Sequence, residues 1–253
     1  MTRSLSFAVC SLLSLVACGE MGATKVATGA ERPGLGTEWG EQVRAPVSFT
    51  PFERASSSPF AELALHYNDA AGVAAHAAYL GAPTPYQGSA GDGALVVTIV
   101  DDHGRPLPGI AAGERTLIVG QQDERYSIVV HNTTPARFEV VASVDGLDVM
   151  DGQPADPNRR GYIIDPRDTL VIDGFRTSER EVAAFRFGRV ADSYAARTTG
   201  DRDVGVIGMA FFTERGAAAR SIERYPVRGD DGDIEERDSA DPFPARGFAT
   251  PPR

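Results

Sequence analysis

The sequence predicts a mainly β protein, an antiparallel β-sandwich with a short N-terminal helix and flexible ends, and three observations carry that prediction. Asp-Gly pairs at Asp145-Gly146, Asp151-Gly152 and Asp173-Gly174 separate apolar runs, and Asp-Gly supplies the positive φ angles that tight hairpins need. Apolar residues also alternate. Tyr126, Ile128 and Val130 share one face of a segment, and Phe138, Val140, Ala142 and Val144 share one face of the next, the period of half-buried strands. Finally, several short strands follow one another with turns between them and no solenoid repeat, the spacing of a sandwich.

Taken in order, the 253 residues divide into five stretches. Residues 1–17 read as a secretory leader: Arg3, an apolar run from Leu5 to Val16, then small residues. That run is shorter than the ~20 residues a spanning helix requires. Leu15-Val16-Ala17-Cys18 followed by Gly19 resembles the lipobox of bacterial lipoproteins. The resemblance implies cleavage before Cys18, acylation (palmitate or a related chain) on its thiol and a mature chain that begins there. Two or three acyl chains hold a protein at a membrane where one is marginal. Gly19 lacks the aspartate that retains some such proteins in the inner membrane, which points to an outer-membrane lipoprotein. Cys10 and Cys18 are the only cysteines, so the body of the chain has no disulfide framework and no cysteine nucleophile.

Residues 18–58 are rich in Gly, Ala, Thr, Pro and Ser with little periodicity, and are expected to be a flexible tether. The Gly34–Gly40 run hints at a phosphate loop but lacks a preceding strand and a following helix. Trp39, Phe49, Phe52 and Phe60 read as anchors that dock the tether on the globular part. Residues 59–93 hold a short strand, Leu63–Tyr67, and a helix capped by Asn68 or Asp69 and closed by Gly81 and Pro83. His66 and His76 have no carboxylate or Cys partners at ligand spacing, so no metal site is expected.

The sandwich itself is placed at 94–215. Leu95–Val100 and Thr116–Val119 are strands, and the Asp101–Gly109 segment between them is explained by turn chemistry rather than by an acid–base site. The run Val204–Phe212 is apolar on both faces and belongs in the middle of a sheet. Residues 216–253 are acidic, Pro-rich and poor in apolar side chains, and are expected to be disordered. Arg228-Gly229-Asp230 and the acidic run Asp230–Asp233 within it are too short to mark an adhesion or calcium site.

The formal charge is −10, and one unit more negative without residues 1–17, whose only charged side chain is Arg3. That argues against electrostatic binding to nucleic acid or to anionic lipid. Lys25 is the sole lysine. The arginines are interleaved with acids rather than patched, which reads as codon usage in a GC-rich genome more than as anion recognition.

Val144–Ala155, Arg160–Ile164, Ile172–Arg176, Val182–Phe187, Ser193–Ala196 and Val204–Gly208 together are similar to a family of uncharacterised bacterial envelope proteins. That resemblance implies a cell-envelope domain and brings no activity with it. No G-x-S-x-G, H-E-x-x-H or phosphate-loop signature is present. Two readings stay open. In the first, a non-catalytic binding or structural protein meets an envelope protein or glycan through Arg160, Tyr162, Phe175 and Arg176, which combine guanidinium and aromatic chemistry on loops; the bland account is that the arginines pair with Asp165 or Asp173 and the aromatics pack inside. In the second, a glycan-directed hydrolase draws a carboxylate pair from Asp145, Asp148, Asp151, Asp165, Asp168 and Asp173. No cofactor is expected under either.

Overall fold

Alternating side chains give each strand one apolar face, and two such sheets close on each other to bury them. The computed structural model describes residues 32–81, 84–85, 88–217 and 248–252. The leader, Cys10, Cys18 and most of the acidic tail, with its Arg228-Gly229-Asp230 and Asp230–Asp233 runs, lie outside the described residues.

The chain runs β1 (Leu35–Arg44), β2 (Ala61–Asn68), α1 (Ala70–Leu80), β3 (Thr84–Pro85), β4 (Ser89–Ala90) and β5 (Leu95–Asp101). It continues through β6 (Gly109–Ala112), β7 (Arg115–Val119), β8 (Arg125–Asn132), β9 (Phe138–Val144) and β10 (Leu147–Asp148). After these come β11 (Tyr162–Ile164), β12 (Thr169–Ile172), β13 (Gly174–Arg176), β14 (Glu181–Arg189), a short 3-10 turn, α2 (Tyr194–Thr198) and β15 (Val206–Thr213). One sheet has the order β1-β14-β8-β5-β4, with β12 beside β8 and β13 beside β14. The other has the order β10-β9-β15-β2-β7-β6-β3, with β11 beside β9. β2 and β7 pair in parallel, and the other pairings are antiparallel. The protein is mainly β, a two-sheet sandwich, as its sequence predicts.

The core lies between the sheets. Val97, Ile99, Tyr126, Ile128, Phe185 and Phe187 of one sheet meet Leu65, Val140, Ile207 and Phe211 of the other, all nearly inaccessible to solvent. The Tyr126 ring stacks on Phe187 with centroids 4.3 Å apart and on Phe185 at 5.2 Å. The faces assigned from alternation in β8 and β9 are the faces that point inward. β15 lies between β9 and β2, as its two apolar faces require. Helix α1 is capped by Asp69, whose carboxylate accepts from the Gly72 N–H at 2.7 Å. It ends at Gly81, with φ of 118°. Val73 and Ala77 pack on Ala112 and Leu117, the outer side of the second sheet; alternation sends the neighbouring Ile118 into the main core.

Three expectations are corrected. The 18–58 tether does not extend over its second half. Residues 35–44 form β1, which pairs with β14 over most of its length; its glycines and threonine concealed a strand whose Leu35, Thr37 and Trp39 point inward. The sandwich therefore begins near residue 35, not 94, and the short strand expected at Leu63–Tyr67 is β2, which belongs to the sandwich as a central strand between β15 and β7. Asp173-Gly174 is not a hairpin. Gly174 sits in β13, where a Cβ would come within 1.9 Å of the Ala183 carbonyl oxygen, so glycine serves close backbone approach rather than a turn. Asp145-Gly146, by contrast, is the β9–β10 hairpin, with φ of 55° and 76°. The tail is also not free to its end. Ala249 is buried, and its N–H donates to the Arg176 carbonyl at 2.9 Å.

Candidate functional site

Three of the four residues expected to form a binding surface are interior. Phe175 is fully buried, stacked on Trp39 at 6.3 Å and edge-on to Phe185 at 5.1 Å. Arg176 is 3% exposed. It donates to the Tyr162 hydroxyl at 3.0 Å and to the carbonyls of Ala45 and Ser178 at 2.9 and 3.1 Å. Tyr162 is buried beside it, and burial raises its hydroxyl pKa. Arg160 is half-buried, its guanidinium 4.9 Å above the Phe49 ring. These residues tie β11, β13 and the 45–49 segment together. The reason is topological: β12 and β13 fill the space between β8 and β14, so what reads as loop chemistry is strand interior. The arginines do not pair with Asp165 or Asp173 either; Asp165 meets Arg137 at 3.0 Å and Asp173 accepts from Ser127 at 2.8 Å.

The other carboxylates also go to separate places. Asp151 pairs with Arg159. Asp168 accepts from the Thr169 N–H. Asp145 is enclosed at the β9–β10 turn. One oxygen takes the Thr37 N–H at 2.8 Å; the other takes the Tyr67 hydroxyl at 2.5 Å and the Gly205 N–H at 2.9 Å. Thr37 Oγ1 lies 2.7 Å from both the Tyr67 and the Tyr126 hydroxyls, completing the network. Burial pushes the Asp145 carboxyl up to about 6 against the pull of these donors.

Asp148 is different. It is fully buried, and Oδ1 accepts the Met150 N–H at 2.8 Å and the Asp151 N–H at 3.3 Å, while Oδ2 has no hydrogen-bond partner. Burial is the main cause that pushes this carboxyl up to about 7, with the Asp151 charge adding and the Arg159 charge opposing. A bare buried carboxylate oxygen costs about 1–3 kcal/mol or more, so it calls for an explanation.

Register supplies one. Asp148 on β10 is opposite Ser143 on β9, Ser143 is opposite Gly208 on β15, and Gly208 is opposite Ala64 on β2. Directly paired residues project to the same side of a sheet, here the outer side, since Ala142 and Ile207 face the core. Val141, Ala210 and Glu62 form the next row in the same way. Because Gly208 and the two alanines hardly rise above the backbone, the outer face carries a depression of about 340 Å³. Ala155, Asp156 and Pro157 form its wall. Arg54 pins that wall, donating to the carbonyls of Pro157 and Arg159 at 2.9 and 2.6 Å while its Nε meets Glu139 at 2.7 Å. Its guanidinium also lies 3.6 Å above the Phe212 ring.

The chain matches no family model, no curated protein and no solved structure. The groove therefore stands on its geometry. Composition conceals it, because Ala64, Ser143 and Gly208 carry no chemistry that marks a site. The one available signal is the alternation of small residues at Gly208 and Ala210 in an otherwise bulky strand. No group of three or more His, Cys, Asp or Glu among the described residues could hold a metal ion. His66 is half-buried, and burial, with the Arg115 and His76 charges, lowers its pKa.

Proposed function

We propose that this protein is a lipid-anchored binding module of the bacterial cell envelope, held at the outer membrane by acyl chains on Cys18 and non-catalytic. Its ligand is met in the groove on the outer face of the second sheet, not on the Arg160–Arg176 segment. The observation that carries the binding half is the Asp148 oxygen without a partner at the end of a row of small residues. A fold that spends a bulky-residue position on Gly208 and leaves a carboxylate oxygen bare beside it has kept an acceptor for something that arrives from outside. The lipobox-like Leu15–Cys18 run supports the anchor. A hydrolase would need two carboxyl groups facing each other about 5 to 10 Å apart. The commitment of Asp145, Asp151, Asp165 and Asp173 to hydrogen bonds and ion pairs weighs towards binding.

Two measurements test this. Full-length protein expressed in a Gram-negative host should fractionate with outer membranes, with an intact mass showing cleavage before Cys18 and added acyl chains; Cys18→Ala should abolish both. Material extracted from membranes should co-purify with a bound component that Gly208→Val, which fills the groove floor, removes. Recovery of unacylated protein in the soluble fraction overturns the anchor. A component equally retained by Gly208→Val overturns the groove, and turnover lost in Asp148→Asn overturns the non-catalytic reading.

A further inference from the structure

The groove has a chemical bias as well as a shape. Three of its lining residues are carboxylates, Glu62, Asp148 and Asp156, and none of them is Lys, Arg or His. Arg54 pairs with Glu139 and Arg159 with Asp151, and the Arg159 charge also acts on Asp148. Glu62 and Asp156 stand at exposed positions on either side, and the buried Asp148 sits at the end of the Ser143–Gly208–Ala64 row. Between the carboxylates the floor is formed by Ala64, Ala210 and Val141, together with the Ser143 hydroxyl, which donates to the Gly208 carbonyl at 3.4 Å.

Resting on the binding reading above, we propose that the groove takes a small alkylammonium ligand, an amine on a short aliphatic stem, with the ammonium donating to Asp148 Oδ2 and the stem lying on Ala64, Gly208 and Ala210. An ammonium group has three donors and no acceptor. It satisfies the bare oxygen and offsets its charge at once, whereas a hydroxyl does only the first. Charge-assisted bonds of this kind are about twice as strong as neutral ones. The surrounding carboxylates and the net charge of −10 add a field that draws cations and disfavours anions. At about 30 Å³ per non-hydrogen atom the depression has room for roughly ten such atoms, which fits a diamine and not an oligosaccharide. Burying the stem on alanine and glycine needs no side chain to reorder there, but Asp148 Oδ2 is closed to solvent, so the carboxyl must open towards the groove for the ammonium to reach it.

The test is calorimetric titration of the full chain with 1,5-diaminopentane and with 1,5-pentanediol, a neutral probe of the same length, at low ionic strength. The diamine should bind at least tenfold more tightly than the diol. Binding should weaken at least tenfold in Asp148→Asn and in Gly208→Val, while thermal melting shows both variants folded. Equal affinity for the two probes overturns the proposal, as does diamine affinity unchanged in Asp148→Asn or in Gly208→Val. No diamine binding also overturns it. If the co-purified component is lost in Gly208→Val and yet is not an amine, the ligand class is wrong while the binding groove stands; if no component depends on Gly208, the binding reading itself fails.

Discussion

Asp145 uses both carboxylate oxygens as acceptors, one for Thr37 N–H and the other for Tyr67 and Gly205. An asparagine in its place must turn an NH₂ towards an N–H whichever way its amide is set. Asp145→Asn should therefore cost about 2–3 kcal/mol, the usual penalty for unpaired buried donors, although it removes a charge. Urea unfolding at pH 7 measures it, and a variant as stable as the parent would show that the network is slack. Asp148 gives the opposite expectation, because its second oxygen has no donor to lose. A carboxyl whose folded value lies above its unfolded one holds its proton more tightly when folded. Its contribution is complete below about 3.8 and is lost as pH climbs through about 7. The difference between those values corresponds to roughly 4 kcal/mol. The stability of Asp148→Asn relative to the parent should thus rise between pH 4.5 and 8, by an amount on that order. Comparing the pair at each pH cancels His66, whose lowered value works the other way in the same range. A flat difference would mean that Asp148 is not desolvated.

At the scale of elements, sequence pattern and structure agree where a strand has one face for each environment. β8, β9 and β15 alternate or are apolar throughout, so their faces and their central position are legible. β1 is not, because Gly36, Thr37 and Gly40 thin its pattern. Glycine there serves close approach: a Cβ at Gly40 would meet the Ala184 carbonyl oxygen at 2.5 Å and one at Gly36 the Ser193 Cβ at 2.7 Å. What reads as tether composition is a strand packed too tightly for side chains. The same holds for Gly174, whose Asp-Gly context reads as a turn, and for Phe175 and Arg176, whose chemistry reads as a surface. The groove was illegible for a further reason. Its members lie on four strands and meet only through register, which depends on which strands pair, and pairing at long range leaves no trace in local composition. Gly174→Ala should destabilise by about 3 kcal/mol, the upper end of overpacking, since its neighbour is backbone and cannot rotate away. Gly208→Ala, whose nearest neighbour is the Ser143 hydroxyl at 2.7 Å, a side-chain atom that can rotate away, should stay within about 1 kcal/mol. Thermal melts of the two variants side by side distinguish a close-approach glycine from a groove-forming one, and equal losses would refute the distinction.

At the scale of the whole molecule, the two ends of the described chain do different work. Composition alone assigns everything beyond residue 215 to a solvated tail, yet the chain returns to the sandwich at Ala249. Its N–H reaches the Arg176 carbonyl, the Thr250 N–H meets the Tyr194 hydroxyl, and its methyl lies where a side chain at Gly152 would come within 2.8 Å. This contact closes over Arg176 and Tyr194, the same cluster that joins β13 to β1 through Trp39 and Phe175. It thus bears on the coherence of the sandwich rather than on the groove. Truncation after Ala217 leaves the Arg176 carbonyl and the aromatic edge to water. With one or two hydrogen bonds and a small apolar area at stake, the loss should be about 1–3 kcal/mol. Ala249→Arg should reproduce it within the full-length chain, separating the contact from the charge and length removed with the tail. A synthetic peptide of residues 246–253, which binds only the folded form, should restore part of the truncated protein's midpoint in proportion to its concentration. Identical midpoints for parent, truncation and Ala249→Arg would show that the returning segment adds nothing, and that the sandwich from β1 to β15 holds by itself.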